Sequence, residues 1–150
     1  MQTKEAIKFA LTVSDRAVLS IIDEMRGAAT TFPTPNGGCH PLWVMGHLTL
    51  DAGMLPDVLF GDKNPAAEWQ PYFGEDSEAV ADAGAYPPFA EVRKKYLQLR
   101  EQNLKLLESL SEEDLDKPTK APPKEREREF ATYGQSFLVL ALHQTMHRGN

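Results

Sequence analysis

The apolar residues of this chain recur at helical rather than strand spacing and divide it into four long segments. From about Lys4 to Arg26, the positions Ile7, Ala10, Leu11, Val18, Ile21, Ile22 and Met25 form one stripe. Thr3 is the expected N-cap and Gly27 the expected stop. Thr31 to Gly38 reads as a loop from its prolines, asparagine and glycines. Pro41 suits the first turn of a second helix running to about Leu55. Pro56 is expected to kink or end that helix, with Asp57 to Phe60 adding one further turn. Pro87 and Pro88 open a third helix to about Leu110, with Phe89, Val92, Tyr96, Leu99, Leu106 and Leu110 on one face. Ser111-Glu-Glu-Asp114 has the form of a capping box opening a short turn, which Pro118, Pro122 and Pro123 end. Thr132-Tyr-Gly-Gln135 is a second such box and starts the fourth helix near Tyr133. Phe137 to Leu142 is apolar nearly all round, as a buried helix would be.

Between the second and third helices, Gly61 to Tyr86 is long, polar and aromatic (Trp69, Tyr72, Phe73), with no clear period. Loops of that length in compact domains are often functional, so this one is expected to be a lid or a pocket wall. Lys124 to Glu129 alternates in charge and reads as a solvated connection. No strand alternation and no internal repeat competes. The expectation is therefore an all-α, antiparallel four-helix bundle with short helical inserts, one domain over residues 1–150. The last helix reaches Asn150 without a C-cap and is expected to continue.

Composition narrows the partners. A chain of 150 residues can bury a core without disulfides or structural metals. A net charge of −6 and a pI near 5.2 argue against a nucleic-acid backbone or an anionic membrane as the main partner. A single cysteine, Cys39, excludes an intrachain disulfide framework and fits a reducing compartment; it is read as structural. The charged N-terminus has no signal-peptide character, and the longest apolar run, Phe137 to Leu142, is far too short to span a bilayer. The expectation is a soluble, cytoplasmic protein.

The candidate chemistry lies in the histidines. His143 and His147 are four residues apart on the last helix, which stacks their rings on one face with Cα atoms about 6 Å apart. His47 lies on the inward stripe of the second helix with Trp43, Val44, Leu50, Asp51 and Met54. Three imidazoles from two helices could meet at one divalent ion and leave a coordination position open, the arrangement of catalytic zinc. Gly46 removes side-chain bulk beside His47 and either lets a neighbouring helix approach closely or is a packing glycine. Asp51, one turn after His47, is the candidate for proton transfer or for orienting a ligand ring or a bound water. His40 lies about 10 Å along the axis from His47, too far to share an ion, and is expected at the helix start or pocket mouth. Ser14 and Asn103 interrupt inner stripes and either line a pocket or are satisfied core residues. There is no P-loop, dinucleotide turn, G-x-S-x-G or HExxH. Gln144 stands where a metalloprotease helix would carry its glutamate, and the Glu-x-x-His pairs of di-iron bundles are missing.

Trp43-Val-Met-Gly-His47-Leu on the second helix, with Leu142-His143-Gln-Thr-Met-His147-Arg-Gly-Asn150 on the last, resembles the DinB-like family of four-helix-bundle metalloproteins. The resemblance covers essentially the whole chain in order and spacing, and its specific part is His-x-x-x-His-Arg-Gly. It implies that His47, His143 and His147 ligate one divalent metal, zinc or nickel. Better-known relatives are thiol-dependent S-transferases and maleylpyruvate isomerase, which use low-molecular-weight thiols, and relatives are often homodimers. The implied function is a metal-dependent transferase or hydrolase activating water or a small thiol towards a small electrophile. A non-catalytic, metal-stabilised or stress-related bundle and a plain interaction protein are the alternatives.

Overall fold

The computed structural model describes residues 1–25, 30–31 and 39–148, without the side chain of Arg148. Gly27, most of the Thr31–Gly38 loop, and Gly149 and Asn150 therefore lie outside the described residues. The first helix, α1, spans Thr3–Glu24. Its N-cap is Gln2 rather than Thr3, because the Glu5 carboxylate reaches back to accept from the Gln2 backbone N–H at 3.2 Å.

The second helix, α2, spans Pro41–Phe60: it does not end at Pro56 and includes the further turn from Asp57 to Phe60. A proline withholds the N–H that the carbonyl four residues earlier would accept. Here that carbonyl is Ala52, and the buried Asn103 side chain supplies the donor instead, Nδ2 to O at 2.8 Å. The helix ends at Gly61, whose φ of +74° is left-handed and suits glycine.

The long connection folds into short turns at Ala67–Trp69 and Ala83–Ala85 and one helical turn, α3, at Gln70–Phe73. Trp69, Phe73 and Tyr86 are buried against α2, with Phe73 and Tyr86 stacked at 5.4 Å. α4 spans Phe89–Ser109. The Ser111 and Asp114 side chains cap each other's backbone N–H ahead of the turn at Glu113–Asp116, and Thr132 and Gln135 do the same ahead of α5, Tyr133–Arg148. Lys124 to Glu129 is largely exposed, as expected. α5 is not buried all round: Phe137, Leu140 and Ala141 face inward, while Leu138, Leu142 and Met146 face out.

Contacts between helices fix their directions. α1 meets α4 through Lys8–Glu108, Asp15–Arg100 and Asp23–Arg93, an antiparallel order. α2 meets α5 through Phe60–Tyr133 and Asp51–His143, also antiparallel. Ser14 meets Gln144, and Ile7 approaches Gly134, so α1 and α5 run parallel. By the same logic α2 and α4 run parallel, which is why a long crossover has to join them.

Two apolar clusters fill this all-α bundle. One gathers Val18, Ile22, Leu42, Met45, Leu48, Val92, Tyr96 and Leu99; the other gathers Ile7, Leu11, Leu55, Leu59, Leu107, Phe137 and Leu140. Between them lies a polar waist. Ser14 and Asp15 come from α1, His47 and Asp51 from α2, Arg100 and Asn103 from α4, and His143, Gln144 and His147 from α5. No helix among the described residues is long and apolar enough to cross a membrane.

Candidate metal centre

The waist brings together the three histidines that sequence spacing singled out. One ring nitrogen from each of His47, His143 and His147 lies within 4.8 Å of the others, and among the described residues no other such group of three forms. The ring centroids of His47 stand 5.1 Å from both partners, and those of His143 and His147 are 4.6 Å apart. A turn of α5 presents the last two rings together, and the antiparallel α2 meets them with the buried His47 of its N-terminal half.

Two of the rings are held by their other nitrogen. His47 Nδ1 lies 2.9 Å from the Phe73 carbonyl oxygen, which can only accept, so Nδ1 carries the proton and Nε2 presents a lone pair. His143 Nδ1 contacts the Asp51 carboxylate, with the same consequence for its Nε2. Trp43, one turn before His47, stacks on its ring at 4.8 Å and 12°. Phe73 reaches its place because Gly46 has no side chain: a Cβ there would run into the Phe73 ring. The connection between α2 and α4 is thus a wall of this site.

His147 differs from the other two. Its Nε2 lies 2.9 Å from His143 Nε2, and its Nδ1 is buried without a hydrogen-bond partner. Burial first, then the neighbouring His143 and His47, lowers its pKa to about 4, with Asp51 opposing. It therefore stays neutral, the form that ligates metal. The donor set fits a divalent ion: one ring nitrogen from each of three imidazoles converges within 4.8 Å, and two of the rings are already oriented by an outer partner.

Asp51 also lies at the site. Its Oδ2 contacts His143 on the facing helix and stands 4.0 Å from His47 Nε2, so the ring it steadies is on α5, not the one on its own helix. His40 stays apart. Its Nδ1 caps α2 by accepting from Trp43 N at 3.0 Å, and its Nε2 meets Val80 O at 2.8 Å. Cys39 packs half-buried on the apolar cluster, where burial raises its thiol pKa. Ser14 and Asn103 are satisfied polar residues, bonded to Leu11 O and Gln144 and to Ala52 O.

Three participants escape a sequence reading. The Phe73 carbonyl is a backbone atom in an aperiodic segment. Its only trace is Gly46, which marks a close approach without naming what approaches. Gln144 is fully buried between two candidate ligands, yet by sequence it is defined only by the mechanism it excludes. The Asp15–Arg100–Tyr96 cluster needs the antiparallel pairing of α1 with α4. Arg100 Nη2 meets Asp15 Oδ2 at 2.6 Å and Tyr96 Oη donates to Asp15 Oδ1 at 2.9 Å. Burial, then the Asp15 carboxylate, holds the Tyr96 phenol well above its usual range.

No curated protein matches this chain. A family model does: that of the DinB superfamily, over residues 10–150, from the first turns of α1 through both histidines of α5. The chain belongs to the DinB superfamily.

Proposed function

We propose that His47, His143 and His147 hold one divalent metal ion, zinc or nickel, and that the protein is a metal-dependent enzyme. Its reaction transfers a low-molecular-weight thiol, or water, to a small electrophile. The observation that carries the reading is the convergence of three ring nitrogens within 4.8 Å, two of them oriented by hydrogen bonds from their far side. A divalent ion held by the three histidines would lower the pKa of a thiol or water bound to it. The chain's own groups do the rest. The Phe73 carbonyl and the Asp51 carboxylate fix the tautomers of His47 and His143. Asp51, partly exposed beside His143, would take a proton from the incoming nucleophile and return it to solvent. Trp43 and Phe73 form an apolar flank that keeps bulk water from His47. Thiol is preferred over water by family analogy.

The test is turnover. Zinc- or nickel-loaded protein should consume a small electrophile in the presence of a low-molecular-weight thiol, and His47→Ala should abolish the reaction. No reaction with any thiol, combined with a lower melting temperature on metal removal, would instead assign the ion a purely structural role.

The partner proposed beside the substrate is a second copy of the chain. Phe9 and Val13 on α1 and Leu138, Leu142 and Met146 on the parallel α5 are all exposed, Leu142 at 62% and Met146 at 69%. Exposed apolar side chains on two neighbouring helices give a surface that a second copy would cover about a twofold axis. Leu142→Glu should convert a dimer to a monomer in sedimentation, and an unchanged mass would remove this stripe from any interface.

A further inference from the structure

The outer support of the histidine cluster is incomplete, and Gln144 stands at the gap. His47 and His143 each hand a ring N–H to an acceptor, Phe73 O and Asp51. His147 Nδ1 has none. One turn back on the same helix, Gln144 Nε2 is also buried without a partner. Beyond Ala141, Gln144 is the one buried side chain among the described residues of α5, so it anchors the turn that carries both rings.

The Ser14 hydroxyl shows how the amide is best turned. Ser14 Oγ lies 3.0 Å from Leu11 O and 2.5 Å from Gln144 Oε1, two acceptors for one proton. Turning the amide half a revolution removes the conflict. Gln144 Nε2 then donates to Ser14 Oγ, and Ser14 Oγ–H donates to Leu11 O. The amide oxygen is left as an acceptor in a layer whose other unpartnered buried atoms, His147 Nδ1 and Arg100 Nη1, are nitrogens.

The tautomer of His147 decides when that acceptor is needed. With the proton of His143 on Nδ1, the 2.9 Å contact between the two Nε2 atoms requires His147 to carry its proton on Nε2 in the metal-free protein. Once a metal takes both Nε2 lone pairs, the His147 proton has to sit on Nδ1, where it calls for an acceptor. No hydrogen bond joins the Gln144 amide to His147 Nδ1 in this structure, but residues three apart on a helix are side-chain neighbours, so a change of side-chain torsion can bring the Gln144 oxygen to it.

We infer that Gln144 is the positioning residue of the third ligand: tied to Ser14 through its nitrogen, it accepts the His147 Nδ1–H with its oxygen when metal binds. This rests on the three-histidine metal reading and extends it to an outer partner on α5. Histidine ligands usually have such a partner, and its removal typically costs about 10–100-fold in metal affinity.

The experiment compares wild type, Gln144→Met and Gln144→Glu. Metal affinity is measured by chelator competition, with visible spectra of the cobalt-substituted forms. Gln144→Met keeps the bulk and loses the acceptor; it should bind about 10–100-fold more weakly and alter the cobalt spectrum. Gln144→Glu keeps an acceptor and should restore both. Equal affinity and equal spectra for wild type and Gln144→Met would overturn the role of Gln144 while leaving the metal site standing. A wild type that takes up no metal would overturn both. Should Gln144→Met not fold, nitrogen NMR of the zinc-loaded wild type decides: a His147 Nδ1–H hydrogen-bonded to the Gln144 amide supports the assignment, and a proton on Nε2 contradicts it.

Discussion

His47 and His143 reach the cluster with one ring nitrogen already committed, and that commitment leaves the other nitrogen free to serve the proposed metal site. Removing the partner should therefore weaken metal binding without unfolding the bundle. Asp51→Ala is expected to lower affinity about 10–100-fold in chelator competition, with unchanged helix content by circular dichroism. His147 adds a dependence on pH in the metal-free protein. Its pKa is about 4 when folded and near 6.5 when unfolded, so between those values the unfolded chain binds more protons. Stability should fall as pH drops through that window and level off below it. Melting temperatures of chelator-treated protein check this, and His147→Gln should flatten the profile. At this scale the sequence was informative about which histidines meet and silent about their partners. A histidine pair four apart is visible in a string of letters; a backbone carbonyl from residue 73 is not.

The elements carry the site through two local departures from helix rules. Gly46 costs helix propensity, and what it admits is the Phe73 ring, whose carbonyl holds His47. Gly46→Ala should cost about 1–3 kcal/mol from overpacking. It should also weaken metal binding, because the displaced turn takes its carbonyl along; denaturation and chelator titration on one preparation separate the two effects. Pro56 is the second departure. Its missing N–H is replaced by Asn103 Nδ2 on the Ala52 carbonyl. Asn103→Ala should destabilise by about 1–3 kcal/mol through a buried acceptor left unpaired. Adding Pro56→Ala, which restores the helix's own donor, should recover much of that loss. A double-mutant cycle showing simple additivity would refute the compensation. The caps at Ser111 and Thr132 and the helical stripes were legible because they are local patterns. The passage of α2 through Pro56 was not, because its compensating donor lies on α4, 51 residues away.

At the scale of the whole molecule, the crossover between α2 and α4 sets the arrangement. It places α2 parallel to α4 and antiparallel to α5, which brings His47 level with the histidine pair at the polar waist between two apolar clusters. Stripe patterns gave the bundle and its inward faces. The order of helices around it, and the exposure of Leu138, Leu142 and Met146 in a run that reads as buried, depend on which neighbours α5 meets. The waist is also where burying polar groups is costly unless they are paired, so its unpartnered nitrogens point to function more than to stability. The measurement that bears most directly on this account is elemental analysis of untagged protein purified without added metal. One equivalent of zinc or nickel per chain in the wild type, lost in His143→Ala with the helix content intact, is the predicted result. A wild type free of divalent metal that takes none up at pH 7.5, or a His143→Ala variant that keeps its full equivalent, would contradict it.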